Sequence, residues 1–148
     1  MVLQYIHGAL DVFAPVYESS GGTDGFVSVE VDPNLALDEA GTLAAGQHLW
    51  DTVHRANLMV KIPATQPCIP AIRAMIAAGR NVNVTLIFSL ERYQNVMDAY
   101  IDGLEDRLAA GQTINEVASV ASFFISRVDS EVDSRLDSLG TAEALSLR

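Results

Sequence analysis

The chain has 148 residues, with 9 Lys+Arg against 19 Asp+Glu, a formal net charge of -10, 49% hydrophobic residues and one cysteine. The apolar fraction excludes wholesale disorder, and the acidic balance argues against nucleic acid or an anionic membrane as partner, because Lys/Arg patches hold both. No run approaches the ~18 apolar residues of a membrane span, Met1 to Leu10 lacks the pattern of a signal peptide, and the lone Cys68 excludes a disulfide framework and suits a reducing cytoplasm.

Taken in chain order, helical and extended patterns alternate. A helix is expected from Gln4 to Tyr17, then a turn-rich loop from Glu18 to Gly25. Phe26 to Val31 is β-branched and alternating, and Pro33 stops its ladder. Asp38 to His54 carries Leu43, Leu49, Trp50 and Val53 at roughly helical spacing. Leu58 to Ile62 reads as a second strand, ending at Pro63. Gln66 to Ala78 reads as a helix with Ile69, Ile72, Met75 and Ile76, and Gly79 stands at its end. Asn81 to Ile87 is a third strand. Ser89 to Ala110 opens on a Ser cap, is expected to lay Tyr93, Val96, Met97, Tyr100, Ile101, Leu104 and Leu108 in one stripe, and closes at Gly111. Val117 to Ser122 is a fourth strand, and the polar tail reads as two helical pieces, Asp129 to Ser138 and Ala142 onward.

The fold class is therefore α/β. Repeats of about 25 to 35 residues match βα units with parallel strands. No strand is followed by a glycine-rich turn, which disfavours a dinucleotide fold. Ser28, Glu30, Lys61, Asn83, Thr85 and Ser122 lie inside strands. In an open sheet such residues would be buried liabilities, whereas in a barrel they line one pocket near the C-terminal strand ends. The expectation is a single incomplete domain over residues 1–148: a partial (β/α)8 TIM barrel of about four parallel strands with flanking helices.

Lys61 is the only lysine among nine basic residues, and it lies in the apolar run Asn57 to Pro63. A bias towards arginine, with Lys61 snorkelling from a strand end, accounts for this in ordinary structural terms. The chemical account is a desolvated amine that attacks a carbonyl and forms a Schiff base. Glu30 would supply a proton shuttle through water; the structural account of the pair is a buried ion pair. Asn83 and Thr85 are two apart and share one side of their strand, which suits holding substrate hydroxyls or a water, or equally a satisfied polar core. Ser122 has the same two readings. Arg127 lies just beyond the fourth strand, where a guanidinium meets a phosphate well, or else pairs with the acidic run Asp129, Glu131, Asp133. His7, His48 and His54 have no metal-ligand spacing with Cys68 or the carboxylates, so no metal is expected.

Val-Ser-Val-Glu-Val-Asp-Pro (27–33), Leu-Met-Val-Lys-Ile-Pro-Ala-Thr (58–65), Asn-Val-Asn-Val-Thr-Leu-Ile-Phe-Ser (81–89) and Ser-Phe-Phe-Ile-Ser-Arg-Val-Asp (122–129) resemble four consecutive motifs of transaldolase, in order and over nearly the whole chain. The long helix after Ser89 and the segment after Ser126 resemble the longer bacterial members. The resemblance implies a (β/α)8 barrel enzyme of the pentose phosphate pathway that needs no cofactor. It moves a dihydroxyacetone unit from sedoheptulose 7-phosphate or fructose 6-phosphate to an aldose phosphate such as glyceraldehyde 3-phosphate or erythrose 4-phosphate. It implies Lys61 as the Schiff-base lysine, Glu30 as the acid working through a water, and Thr85 as the residue positioning that water. It also implies Asn83, Ser122 and Ser28 as dihydroxyacetone contacts, Arg127 as a phosphate contact, and Phe124 as a pocket residue beside it.

Family members are expected at about twice this length, as a full barrel requires. The chain reads as running from the helix before the third barrel strand to just past the sixth, with Met1 to Leu10 outside the family pattern. Two further readings follow: a lysine-dependent sugar-phosphate aldolase that cleaves and does not transfer, and a non-catalytic half-barrel that self-associates through its exposed strand edges.

Overall fold

A computed structural model describes residues 2–148. Met1, where the segment compared with signal peptides begins, lies outside the described residues. The helices are α1 (Val2–Ser19), α2 (Glu39–Val53), α3 (Ile69–Ala77), α4 (Leu90–Ala109), α5 (Ile125–Leu139) and α6 (Ala142–Leu145). The strands are β1 (Val27–Glu30), β2 (Leu58–Pro63), β3 (Val82–Ile87) and β4 (Ser119–Phe123), and they alternate with the helices.

Element ends follow from local chemistry. Asp38 caps α2 by accepting from the Gly41 N–H, and Ser89 caps α4 by accepting from the Arg92 N–H. The helix expected over Gln66 to Ala78 is divided. Gln66–Cys68 forms a 3-10 turn holding Pro67, and α3 starts at Ile69. Pro70 then falls in the first turn, where its missing N–H leaves no intrahelical bond unmade. The fourth strand pairs from Ser119, later than expected, because the Ala118 N–H donates to the Asn81 side chain at 2.9 Å. The tail helix starts at Ile125, four residues before the expected Asp129, and its apolar spacing runs through Val128, Val132, Leu136 and Leu139.

All strand pairs are parallel, in the order β1-β2-β3-β4. Alternation along each strand sorts the side chains. Val31, Leu58, Val60, Ile62, Val82 and Val84 join Leu10, Val53, Ile72, Ile76 and Val96 in one buried cluster beneath the helices. Burial of each such side chain stabilises by roughly 1.5–3 kcal/mol. The other alternation carries Ser28, Glu30, Met59, Lys61, Asn83 and Thr85. β1 and β4 are the outer strands, each paired on one side only. Apolar side chains flank both: Tyr5 and Val12 of α1 are each 73% exposed, and Ile125 and Leu139 of α5 each 67%.

Candidate active site

Two buried asparagines set the strand ends level. Asn57 Nδ2 donates to the carbonyls of Leu10 and Gly25, each at 3.1 Å, which ties α1 and the entry of β1 to β2. Asn81 Nδ2 donates to Ala56 and Leu58 carbonyls at 3.0 and 3.1 Å, while its Oδ1 accepts from the Ala118 N–H. Each amide thus replaces backbone pairing where the ladder has not yet begun. From that start, Glu30 pairs in register with Lys61, and Lys61 with Asn83. Side chains level in neighbouring parallel strands project to the same face, so the three form a row.

Two sets of polar contacts lie along the row. Lys61 Nζ lies 3.3 Å from Glu30 Oε2, with side chains 28% and 45% exposed. The pair is therefore an ion pair at the open side of the sheet, not the buried one allowed by the ordinary structural account. Asn83 Nδ2 donates to Ser28 Oγ at 3.0 Å, and its Oδ1 accepts from Ser122 Oγ at 2.9 Å. One amide thereby spans from β1 to β4. Thr85 pairs in register with Pro63, is fully buried, and its Oγ1 has no hydrogen-bond partner among the described residues. A buried hydroxyl without a partner costs about 1–3 kcal/mol.

β3 is irregular just beyond Thr85. Val84 pairs with Ala121 and Ile87 with Phe123, so Thr85 and Leu86 together face Ser122. Leu86 takes φ +59, a left-handed conformation that costs a non-glycine residue of order 1–3 kcal/mol. Ser122, Phe124 and Arg127 follow along β4 and into α5. The Arg127 guanidinium lies over the Phe124 ring at 4.2 Å, and the Phe88 ring centroid is 6.1 Å from that of Phe124. Arg127 is exposed, and among the described residues no ion pair joins it to the acidic run that follows, where Glu131 pairs with Arg135 instead. Phe88, Arg127, Val128, Glu131 and Val132 line a cavity of about 310 Å³.

The expected site residues therefore fall in two groups. On the sheet, Ser28, Asn83 and Ser122 form one hydrogen-bonded chain and Glu30 and Lys61 an ion pair, with Lys61 level with Asn83 in register and Thr85 two residues further along β3. Phe124 and Arg127 form a separate stack past the end of β4, and no hydrogen bond joins the two groups among the described residues. Asn57, Asn81 and Phe88 are further residues of the site that the strand pattern does not mark. An asparagine directly before an apolar strand is the available signal for the first two. For Phe88 there was none, since only the irregularity at Leu86 sets its direction.

The family model for transaldolase/fructose-6-phosphate aldolase matches residues 1–146. The chain belongs to this family. It is 57% identical over 143 residues to "Transaldolase" of Parafrankia sp. (strain EAN1pec), 59% to "Transaldolase 1" of Streptomyces coelicolor and 53% to "Transaldolase" of Mycobacterium marinum. These matches cover 97% of this chain but only 38–39% of each relative, so the chain corresponds to a part of those transaldolases. The relatives are longer than the expected doubling. The family match starts at residue 1, so Met1 to Leu10 lies within the family pattern, contrary to the sequence reading. The four parallel strands with flanking helices are a partial (β/α)8 barrel of the transaldolase family.

Proposed function

We propose that the site performs transaldolase chemistry through an imine on Lys61. The observation that carries this is the level row of Glu30, Lys61 and Asn83, with Nζ 3.3 Å from Glu30 Oε2, in a chain of this family. Glu30 takes a proton from the ammonium, and the neutral amine adds to the C2 carbonyl of a ketose phosphate. Protonation of the carbinolamine oxygen, with loss of water, leaves the imine. The iminium draws the electrons of the C3–C4 bond as the C4 hydroxyl gives up its proton. An aldose phosphate departs and an enamine remains on Lys61. Attack of that enamine on a second aldose phosphate, then hydrolysis, completes the transfer; protonation of the enamine instead would make the protein an aldolase.

In this reading Thr85 Oγ1 places the water exchanged during imine formation, which would meet its unsatisfied bonding capacity. Asn83, Ser122 and Ser28 hold the dihydroxyacetone hydroxyls, and their present contacts with one another are the kind such hydroxyls would replace. Arg127 meets the phosphate, with Phe124 as the surface carrying it. Substrates would be sedoheptulose 7-phosphate, fructose 6-phosphate, glyceraldehyde 3-phosphate and erythrose 4-phosphate. The setting would be the cytoplasm in the pentose phosphate pathway, which suits a free buried thiol at Cys68. The domain reading is one incomplete barrel over residues 1–148.

The test is reductive trapping. Fructose 6-phosphate with borohydride should add the reduced sugar to Lys61, read by peptide mass spectrometry. Because Lys61 is the sole lysine, a labelled site is unambiguous apart from the N-terminus. Lys61→Arg should abolish the adduct, since guanidinium stays protonated. Equal labelling of Lys61→Arg would overturn the assignment.

A further inference from the structure

Phe88 is half exposed, follows β3 directly, and is not among the residues assigned above to binding or catalysis. Its direction has a backbone cause. Along β3, Asn83 faces the site, Val84 the helices and Thr85 the site. Plain alternation would send Ile87 to the site and Phe88 to the helices. The left-handed Leu86 supplies one extra residue opposite Ser122 and reverses that phase. Ile87 returns to the core, fully buried, and pairs with Phe123, whose ring packs on Tyr93 of α4 at 5.1 Å. Phe88 emerges instead against Phe124, ring centroids 6.1 Å apart and planes 32° apart. Phe124 in turn carries the Arg127 guanidinium on its face. A strained backbone at an otherwise regular strand thus serves to stack three side chains from two strand ends.

We propose that Phe88 is a positioning residue: its ring backs Phe124 and so holds the Arg127 guanidinium at the C-terminal end of the sheet. The consequence for substrate rests on the reading of Arg127 as a phosphate contact. An exposed arginine on a flexible stem loses rotamer freedom when it grips an anion, and a guanidinium already held on an aromatic face loses less. Phe88 would therefore raise affinity for the phosphate end of the substrate without touching it.

Side-chain NMR of the 148-residue chain tests this without any need for turnover. Stacking on Phe124 should shift the Arg127 side-chain protons upfield by ring current. Phe124→Ala should remove the shift, Phe88→Ala should cut it by about half or more, and Phe88→Tyr should keep it. An unchanged shift in Phe88→Ala, or loss in Phe88→Tyr as well, would overturn the proposal. Phe88 is half exposed, so the fold should survive these changes, and backbone amide dispersion checks that it does. A titration with inorganic phosphate, read at Arg127 Hε, forms the second arm. Phe88→Ala should weaken binding about threefold or more, with Phe88→Tyr near the unsubstituted chain. A lost stack with unchanged phosphate affinity would reduce Phe88 to packing and overturn its positioning role. If the unsubstituted chain shows no response to phosphate, the reading of Arg127 fails, while the ring-current arm still decides the role of Phe88.

Discussion

At the scale of single residues, the buried amides and the exposed site residues carry opposite expectations. Asn81 makes three hydrogen bonds to backbone groups that have no ladder partner at those points. Asn81→Ala leaves those groups buried and unpaired, so it should cost about 1–3 kcal/mol and lower the melting temperature by several degrees. Asn83→Ala lies on the open face and removes contacts that water can replace. It should leave melting within a degree or so of the unsubstituted chain, yet slow trapping of the sugar on Lys61 severalfold. A large loss of stability in Asn83→Ala would mark it as a structural polar residue. That Ser28, Glu30, Lys61, Asn83 and Ser122 share one face of the sheet was legible in the sequence, because polar types sat inside apolar strands. The places of Phe88, Asn57 and Asn81 were not, for they depend on a bulge and on ladder ends that only tertiary pairing defines.

At the scale of elements, α3 and α4 show how close packing and surface charge divide the work. Gly103 of α4 is buried against α3, and a Cβ there would come within 2.8 Å of the Arg73 carbonyl oxygen and of Ile76 Cβ. Gly103→Ala gains about 1 kcal/mol of helix propensity but forces the helices apart at a cost of about 1–3 kcal/mol. A lower melting temperature is expected, and a rise would show that α4 shifts freely. Above this contact, Arg73 donates to Asp106 at 2.6 and 2.8 Å and to Asp102 at 2.7 Å. The hydrogen bond from Arg73 holds the Asp106 carboxyl below the usual carboxylate range. A depressed carboxyl stabilises the fold above its unfolded value, and the contribution is lost as pH falls through the folded one. The melting difference between the unsubstituted chain and Asp106→Asn should thus be present at neutral pH and vanish in acid. Being on the surface, it should also shrink with salt. The order of elements was legible from period and caps, whereas their ends were displaced where prolines or a side-chain amide replaced a backbone donor, as at Pro67 and Ala118.

At the scale of the whole molecule, the sheet has, among the described residues, two unpaired parallel edges and an open face that carries the polar row. The 148-residue chain by itself is therefore expected to associate, and to turn over transaldolase substrates poorly. The edges offer unpaired backbone groups at β1 and β4, and nearby Val120 is 45% exposed on the edge strand. Exposed Tyr5 and Val12 of α1 and Ile125 and Leu139 of α5 add apolar surface on either side. The net charge of -10 opposes the contact between copies, so association should strengthen as salt screens it. Sedimentation at tens of micromolar would read this, and Val120→Lys, a charge on the edge strand, should shift the chain towards monomer. A monomer that persists at high salt would overturn the expectation. Low turnover follows from the same geometry. Ser28, Glu30 and Arg127 are exposed, so their hydrogen bonds and charges act in water and not in the dry pocket that strengthens them. The 148-residue piece spans 38–39% of its relatives, and a proton-transferring group carried on the part it does not span would not act in it; loss of one such group costs on the order of 10² to 10⁴ in rate. Trapping on Lys61 needs only the amine and a carbonyl, so it should survive where turnover does not. Measuring both on the same preparation separates chemistry from closure: an adduct without turnover is the expected result, and a fully active monomer would show that these four strands suffice.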